Sequence, residues 1–383
     1  MGKPVIPLDA PWLGELEKQY VLRAVESGYV SSAGPLVAEF EEYFAAYVGA
    51  GFAVATVNGT SALHLALKLL GIGPGDEVIV PALTFIATVN PVVYVGATPV
   101  VVDVDPCTWN IDVGELEAAV TERTRAVIPV HLYGNPADMD GIMAVAQRYG
   151  LRVIEDAAEA LGATYKGKHV GTFGDIGVFS FNGNKIITTG GGGMLVTDDP
   201  VLACRARLLV NQGREPGSFE YTHREIGFNY RLTNLQAALG LAQMERLEEF
   251  LAAKRRNAAL YRELLKGVPG LSWQQETEGA CSSWWMFSVV VAKEKFGENR
   301  REVAERLNAS GIPVRPLFMP IPEQPSYARF RLKECPVSSF LYKGGLNLPS
   351  ASSLTEKEVN VVCDIILKKS TGDGLFQKCG SRK

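Results

Sequence analysis

Between about residues 50 and 200, short apolar runs rich in β-branched residues alternate with longer segments of helical spacing. The run FAVATV (52–57) precedes ALHLALKLL (62–70), where apolar residues recur at intervals of three and four. Further strand-like runs follow at intervals, namely EVIVPA, TPVVVDVD, AVIPVHLY and LRVIEDAA. Strands that alternate with crossover helices favour a mostly parallel sheet covered by helices on both faces.

The pattern changes after residue 176. IGVFSF (176–181) and the following GNKIITTGGGGMLVTDD predict a strand, a glycine-rich turn and a strand, and a long helical stretch follows from TNLQAAL to YRELL. Beyond about residue 270, WWMFSVVVA, REVAERLNASG and IPVRPLFMPIPEQP indicate a second, smaller α+β unit. We therefore predict a large domain over 1–250, a small C-terminal domain over 251–367 and a flexible tail over 368–383.

The composition excludes several classes of protein. Hydrophobic residues make up 47% and charged residues 21% of the 383 positions, which is ordinary globular usage. The 38 Lys and Arg against 42 Asp and Glu leave a net charge of -4, so nucleic-acid binding driven by charge is not expected. Six scattered cysteines without a C-x-x-C pair, and four histidines, give little support to a metal site or a disulfide framework. Without a signal-like or membrane-length apolar run, we expect a cytoplasmic protein that does not bind membranes.

Asp156 ends the apolar strand in VIEDAAEALG (153–162). Such strand ends form the ligand-binding edge of an open α/β sheet, and a charge there needs a cationic partner. The two alanines that follow leave room for a flat ring. A helix cap or a turn is the competing interpretation of this aspartate.

Lys185 lies in FSFNGNKIITTGGGG (179–193), between a strand and four consecutive glycines. In an apolar pocket a lysine loses its proton more readily and becomes a nucleophile. The glycines allow backbone to approach a bulky ligand. A solvated surface lysine is the alternative, which this setting disfavours.

Gly59, Thr60 and Ser61 open a helix directly after a strand. A helix N-terminus binds phosphate through its free N–H groups and its dipole, although NGTS is also an ordinary cap sequence. The chain has neither a P-loop motif nor a G-x-G-x-x-G fingerprint at its glycine clusters. A Schiff-base lysine, a carboxylate for a pyridinium nitrogen and a phosphate site together match pyridoxal phosphate (PLP), with Phe85 as a face for its ring or as a core residue.

The segment EDAAEALGATYKGKHVGTFGDIGVFSFNGNKIITTGGGGM resembles the cofactor segment of the DegT-type sugar aminotransferases. NGTSALHLAL, PALTFIAT, PVHLYGNPADMD and GFNYRLTNLQAALGLAQMERL extend the resemblance from about residue 8 to 367. It implies the aspartate aminotransferase-like fold type I, with a mostly parallel mixed sheet in the large domain. It also implies PLP as cofactor and a homodimer with its active sites at the subunit interface.

Carried over by position, the resemblance makes Lys185 the Schiff-base lysine and proton shuttle, and Asp156 the partner of the pyridine nitrogen. Phe85 would stack on the ring, and Glu159, after DAA, would be a further cofactor contact. The phosphate would be held by residues at the helix start, the end of a strand and the neighbouring subunit, namely Gly59, Thr60, Ser61, Ser180 and Asn229.

The resemblance implies amino transfer from L-glutamate to the 4-keto carbon of a nucleotide-linked 4-keto-6-deoxyhexose. Arg315 and Arg231 are candidates for the diphosphate, and Trp284, Trp285 and Tyr327 for the sugar or base. Relatives for GDP-linked sugars usually read TTGEGG, and UDP-linked ones are closer to TTSGGG. Gly191 replaces that Glu, so GDP and UDP both stay open. A PLP-dependent sugar dehydratase, against which Lys185 argues, and a non-catalytic regulator are further alternatives.

Overall fold

The computed structural model of the protein describes residues 6–217, 219–330 and 332–368. Its α-helices are α1 (Glu15–Glu26), α2 (Pro35–Val48), α3 (Gly59–Leu69), α4 (Asn90–Tyr94), α5 (Val113–Ala118), α6 (Met139–Tyr149), α7 (Pro200–Val210), α8 (Asn234–Glu245), α9 (Leu247–Leu265), α10 (Lys293–Phe296), α11 (Arg300–Ala309), α12 (Pro336–Gly344) and α13 (Glu356–Leu367). Its short 3-10 helices are Ile86–Thr88, Leu132–Gly134, Ile321–Glu323 and Pro325–Phe330.

The strands are β1 (Phe52–Thr56), β2 (Glu77–Pro81), β3 (Thr98–Val102), β4 (Thr124–Val127), β5 (Arg152–Asp156), β6 (Thr164–Tyr165), β7 (Lys168–His169), β8 (Ile176–Ser180), β9 (Gly193–Thr197), β10 (Leu271–Trp273), β11 (Ala280–Cys281), β12 (Ser288–Val291), β13 (Arg315–Pro316) and β14 (Gly345–Asn347). In the described residues, the largest sheet has seven strands in the order β1-β9-β8-β5-β4-β2-β3.

This sheet is mixed and mostly parallel. Strands β3, β2, β4, β5 and β8 are parallel to one another. Strand β9 pairs antiparallel with β8, and β1 pairs antiparallel with β9. Strand β2 is buried along its whole length, as expected for a strand covered by helices on both faces. The predicted α/β fold class is confirmed.

The candidate site lies at the carboxyl ends of two neighbouring strands, β5 and β8. Strand β5 ends at Asp156 and pairs in parallel with β8, so that Asp156 lies opposite Val178, two residues before the end of β8 at Ser180. Helix α3, which follows β1, packs against β8 and β9. The end of β5, the end of β8 and the start of α3 therefore meet at one edge of the sheet.

The C-terminal part has its own four-stranded sheet, in the order β10-β12-β14-β13. A further small sheet pairs β11 with β6 and β6 with β7, and so joins Ala280–Cys281 to Thr164–Tyr165. The predicted boundary at residue 250 falls inside helix α9. The division into 1–250 and 251–367 thus stays a prediction, and the predicted tail lies outside the described residues apart from Lys368.

One local expectation needs correction, and a second segment is shown in more detail. The predicted long helix is divided at Arg246, whose φ of -104° and ψ of 2° lie outside the helical region and separate α8 from α9. In WWMFSVVVA only Ser288–Val291 form a strand, because Trp284 adopts a positive φ of 50° and the chain turns there. None of the helices in the described part of the chain is both long and apolar enough to span a bilayer.

Candidate active site

A cavity of ≈ 590 Å³ opens at the edge of the sheet where β5, β8 and α3 meet. Segments of the C-terminal part, including β13 and residues 317–319, form its opposite wall. The cavity brings together eight of the predicted site residues, namely Gly59, Thr60, Phe85, Asp156, Glu159, Ser180, Lys185 and Arg315. Residues more than 250 positions apart in the sequence thus share one site.

The Asp156 carboxylate is buried at the end of β5 and faces this cavity. Its Oδ1 accepts the N–H of Ala158 at 3.1 Å, and its Oδ2 accepts the hydroxyl of Thr88 at 2.7 Å. Burial raises the pKa of Asp156, and these two hydrogen bonds oppose that rise. Since each carboxylate oxygen accepts more than one hydrogen bond, Asp156 keeps acceptor capacity for a ligand N–H.

Lys185 projects into the same cavity from the loop after β8 and is largely buried. Its Nζ lies 3.4 Å from Oε1 of Glu159 and 3.8 Å from the centre of the Trp285 ring. The Trp285 indole is itself fixed, because its Nε1–H donates to the carbonyl of Asn184 at 2.6 Å. Burial raises the pKa of Glu159 above its ordinary value, and the neighbouring Lys185 ammonium only partly opposes this rise.

The start of α3 forms the third side of the site. Asn58 caps the helix, and its side-chain oxygen accepts the N–H of Ser61 at 2.8 Å. The glycine run lies directly against this start, because a Cβ on Gly193 would be 2.6 Å from the backbone of Asn58. Only a glycine permits this approach, which puts Ser180 beside Gly59 and Thr60.

Phe85 and Arg315 lie nearer the mouth of the cavity. The Phe85 side chain is 52% exposed, and its ring centre is 5.4 Å from that of Phe318. It is therefore a cavity-wall residue with a free face rather than part of the core. Arg315 is exposed at the start of β13, opposite Asn347 of β14.

Three predicted residues do not line the cavity in this single chain. Ser61 is buried in the first turn of α3, one residue beyond the cavity wall. Asn229 and Arg231 have exposed side chains in a segment that lies beside β1, where the carbonyl of Tyr230 accepts the N–H of Val57 at 2.7 Å. The contact of Asn229 across subunits stays a prediction.

The structure also adds cavity residues that the sequence interpretation left out, among them Leu8, Asn58, Thr88, Phe318 and Asn347. Thr88 follows Phe85 in PALTFIAT, and a short 3-10 helix brings its hydroxyl to Asp156. Of the three aromatic candidates, Trp285 lines the cavity, whereas Trp284 packs against Phe287 in the core of the C-terminal part.

These residues fit pyridoxal phosphate. The cavity offers an amine for an aldehyde, a buried carboxylate for a protonated ring nitrogen, and the N-terminus of an 11-residue helix for a phosphate. Among the described residues, no cluster of His, Cys, Asp and Glu could hold a metal ion.

Comparisons with known proteins identify the family of the chain. The sequence model of the DegT/DnrJ/EryC1/StrS aminotransferase family matches residues 11–367. The GDP-perosamine synthase of Caulobacter vibrioides is 48% identical over 360 residues, which cover 94% of this chain and 96% of that protein. A UDP-N-acetyl-3-dehydro-alpha-D-glucosamine 3-aminotransferase of Acidithiobacillus ferrooxidans is 42% identical over 328 residues, with coverage of 85% and 86%.

The fold of the chain is similar to that of a solved aminotransferase structure. The crystal structure of the aminotransferase TlmJ from Streptoalloteichus hindustanus superimposes with a TM-score of 0.90 at 32% identity. The match covers 95% of this chain and 98% of that one.

Proposed function

Because the chain belongs to the DegT/DnrJ/EryC1/StrS aminotransferase family, we propose that it transfers the amino group of L-glutamate to the 4-keto carbon of a GDP-linked 4-keto-6-deoxyhexose. The protein is a PLP-dependent nucleotide-sugar aminotransferase. The choice of sugar is supported by the 48% identity with GDP-perosamine synthase over nearly the whole of both chains. The observation that carries the proposal is the meeting of Lys185, the buried Asp156 and the start of α3 in one cavity.

Each side of the cavity has its own part in holding the cofactor. When bound, PLP supplies a carbonyl that takes up an amino group and a ring that accepts electrons from the substrate carbon. The N–H groups at the start of α3, with the hydroxyls of Thr60 and Ser180, bind its phosphate. Asp156 would accept a hydrogen bond from the ring nitrogen and keep that nitrogen protonated. Phe85 presents its free face to the ring.

Lys185 has two tasks in this proposal. Its Nζ would bind the cofactor covalently in the resting enzyme. The released amine would then move a proton between the cofactor and the substrate carbon. Glu159, 3.4 Å away, holds the released amine near the reacting atoms. Trp285 covers the amine on another side and limits the access of water.

Arg315 is our candidate for the diphosphate of the nucleotide, since a guanidinium donates to phosphate oxygens in pairs. It lies at the cavity mouth, where a nucleotide extending from a bound sugar would pass. Arg231 lies outside the cavity of its own chain, so that it would have to act in a neighbouring subunit's site.

A UDP-linked sugar, including one with a 2-acetamido group, is the second candidate. Gly191 lines the cavity, and a Cβ there would meet only the amide nitrogen of Gln236, at 3.9 Å. This position therefore leaves space where relatives for GDP-linked sugars usually carry Glu. A relative acting on a UDP-linked sugar at 42% identity also supports this candidate.

One assay separates these proposals. The purified protein is incubated with L-glutamate, PLP and either the GDP-linked or the UDP-linked 4-keto-6-deoxy sugar, and the amino sugar and 2-oxoglutarate are quantified. We expect equal amounts of the two products and a higher kcat/KM for the GDP-linked substrate. A preference for the UDP-linked substrate would support the second candidate. Loss of the keto sugar without formation of an amino sugar would indicate a dehydratase, and no conversion of either sugar would contradict amino transfer to this class.

We also propose a homodimer. Phe219 and Ile226 are 91% and 93% exposed in the segment that carries Asn229 and Arg231, and such apolar exposure is typical of an interface. Asn229 would then reach the cofactor phosphate of the partner subunit. The cytoplasmic location expected from the sequence stays a prediction.

Mixed dimers test the contribution across subunits. Lys185→Ala and Asn229→Ala proteins are each expected to be nearly inactive, and are unfolded and refolded together. If Asn229 acts across the interface, each mixed dimer contains one complete site, and activity returns. If Asn229 acts within its own chain, every site in the mixture lacks one residue and activity does not return.

A further inference from the structure

Tyr133 connects the two walls of the cavity although it lies outside the sites proposed above. It is fully buried in the loop between β4 and α6, directly behind the cavity. Its backbone N–H donates to Oε2 of Glu159 at 2.9 Å. Its hydroxyl oxygen accepts the backbone N–H of Phe318 at 3.2 Å. One residue thereby links the carboxylate beside Lys185 with the segment that follows Arg315.

The ring of Tyr133 strengthens this connection. It stacks on Phe318, with ring centres 5.3 Å apart and planes inclined by 24°, and on Trp285, with centres 6.2 Å apart and planes inclined by 28°. Both partners are cavity-wall residues from the C-terminal part. The Tyr133 ring thus packs between Trp285, which contacts Lys185, and Phe318, which lies near the mouth of the cavity.

The backbone of Tyr133 is held in an unfavourable conformation. Its φ of 56° and ψ of 18° lie in the left-handed region, which a bulky aromatic residue seldom adopts. The adjoining Gly134 has a φ of 97°, and a Cβ there would come within 2.5 Å of the Ser283 hydroxyl. Such strain persists where the surroundings fix it, and it occurs most often at functional sites. In this conformation the Tyr133 N–H points toward Glu159 and the side chain packs against Phe318.

We propose that Tyr133 is a positioning residue that holds residues 315–319 against the cavity and thereby sets the affinity for the nucleotide sugar. The inference rests on the proposed function, because the 315–319 segment carries Arg315, our candidate for the diphosphate. The two links of Tyr133 are separable, since the bond to Glu159 comes from its backbone and the bond to Phe318 from its hydroxyl.

Tyr133→Phe is therefore the informative variant. It removes the acceptor for the Phe318 N–H but keeps the ring and the backbone bond to Glu159. Tyr261→Phe is the matched control, because Tyr261 is also fully buried and its hydroxyl donates to the carbonyl of Pro349 at 3.0 Å, away from the cavity. Each variant thus loses one buried tyrosine hydroxyl, and that of Tyr133 is also hydrogen-bonded to the side chain of Asn347 in the cavity wall.

Two measurements on the full-length, PLP-loaded protein test the proposal. Hydrogen exchange without substrate is expected to become at least about fivefold faster in the peptide containing Phe318 for Tyr133→Phe, because the amide has lost its acceptor. The KM for the nucleotide sugar is expected to rise about tenfold, with kcat within about twofold of wild type. Tyr261→Phe is expected to change neither quantity.

Unchanged exchange at Phe318, or faster exchange without a rise in KM, would overturn the proposal. A uniform increase of exchange in all peptides, with a loss of kcat, would show a merely structural role and would also overturn it. If the wild-type protein turns over neither nucleotide sugar while exchange at Phe318 responds as expected, the proposed substrate class is at fault, and the connection between Tyr133 and Phe318 stands.

Discussion

The amine of Lys185 lies 3.4 Å from a carboxylate oxygen of Glu159, and both side chains are almost completely withdrawn from solvent. The second oxygen of Glu159 is occupied by the N–H of Tyr133. The proposed mechanism releases and recaptures Lys185 in each cycle, and this buried lysine has a fixed acidic neighbour. From the sequence, Glu159 could be predicted only as a further cofactor contact after DAA, and its contacts with Lys185 and Tyr133 could not be predicted.

The contact between Lys185 and Glu159 predicts the effect of Glu159→Gln. The amide keeps an acceptor for the Tyr133 N–H but removes the negative charge beside Lys185. Since hydrogen bonds to charged groups are worth about 1.5–3 kcal/mol, we expect kcat to fall about tenfold to a hundredfold. Cofactor content, measured by absorbance, is expected to stay near one per chain. A variant with unchanged kcat would show that the charge of Glu159 has no part in turnover.

Asp156→Asn tests the proposed partner of the ring nitrogen. The amide is nearly isosteric: its oxygen can accept the Ala158 N–H and its NH2 group can donate to the Thr88 hydroxyl. It cannot, however, keep the ring nitrogen protonated. We expect kcat to fall at least about a hundredfold while PLP still binds. Asp138→Asn is the control, because Asp138 caps α6 outside the cavity and should leave kcat unchanged. Equal rates for both variants would contradict the role of Asp156.

The start of α3 gives a prediction that separates stability from cofactor binding. Asn58→Ala removes a helix cap and should lower the free energy of unfolding by about 1 kcal/mol. Asp199→Ala removes the corresponding cap of α7, which lies outside the cavity, at a similar cost. We expect weaker PLP binding in titrations of Asn58→Ala alone. Equal PLP affinities in the two variants would show that the start of α3 does not hold the phosphate.

Asp9 predicts a pH dependence of stability. Burial raises the pKa of Asp9 from 3.8 to about 6, although Lys254 lies 3.4 Å away and opposes the rise. A carboxyl whose pKa is higher in the folded state stabilises the fold most below pH 3.8, and that contribution is lost as the pH rises through about 6. The stability of wild type relative to Asp9→Asn should therefore decrease as the pH is raised through this range. Denaturant unfolding of both proteins at several pH values measures it, and a relative stability that increases with pH would contradict the prediction.

Site residues could be predicted from local sequence where a reactive side chain lies at the end of a predicted strand or the start of a predicted helix. Asp156 at a strand end, Lys185 before the glycine run and Thr60 at a helix start could each be placed from neighbouring residues. The structure brings all three to one cavity because parallel strands direct their carboxyl ends to the same edge. The chemical roles of these residues remain predictions.

The remaining parts of the site depend on tertiary contacts. Trp285 reaches Lys185 from 100 positions along the chain, directly after Trp284 with its positive φ of 50°. Tyr133 adopts a left-handed conformation without the glycine or asparagine that would signal it. Such positions are determined by packing, so that spacing and composition could not reveal them.

The covalent bond between the cofactor and the chain tests the central claim most directly. The PLP-loaded protein is reduced with borohydride, digested and mapped by mass spectrometry, with Lys185→Ala treated in parallel. We predict that the phosphopyridoxyl group is found on the peptide at Lys185 and that the variant carries no label. A label on another lysine, or no label in the wild-type protein, would contradict this account of the site.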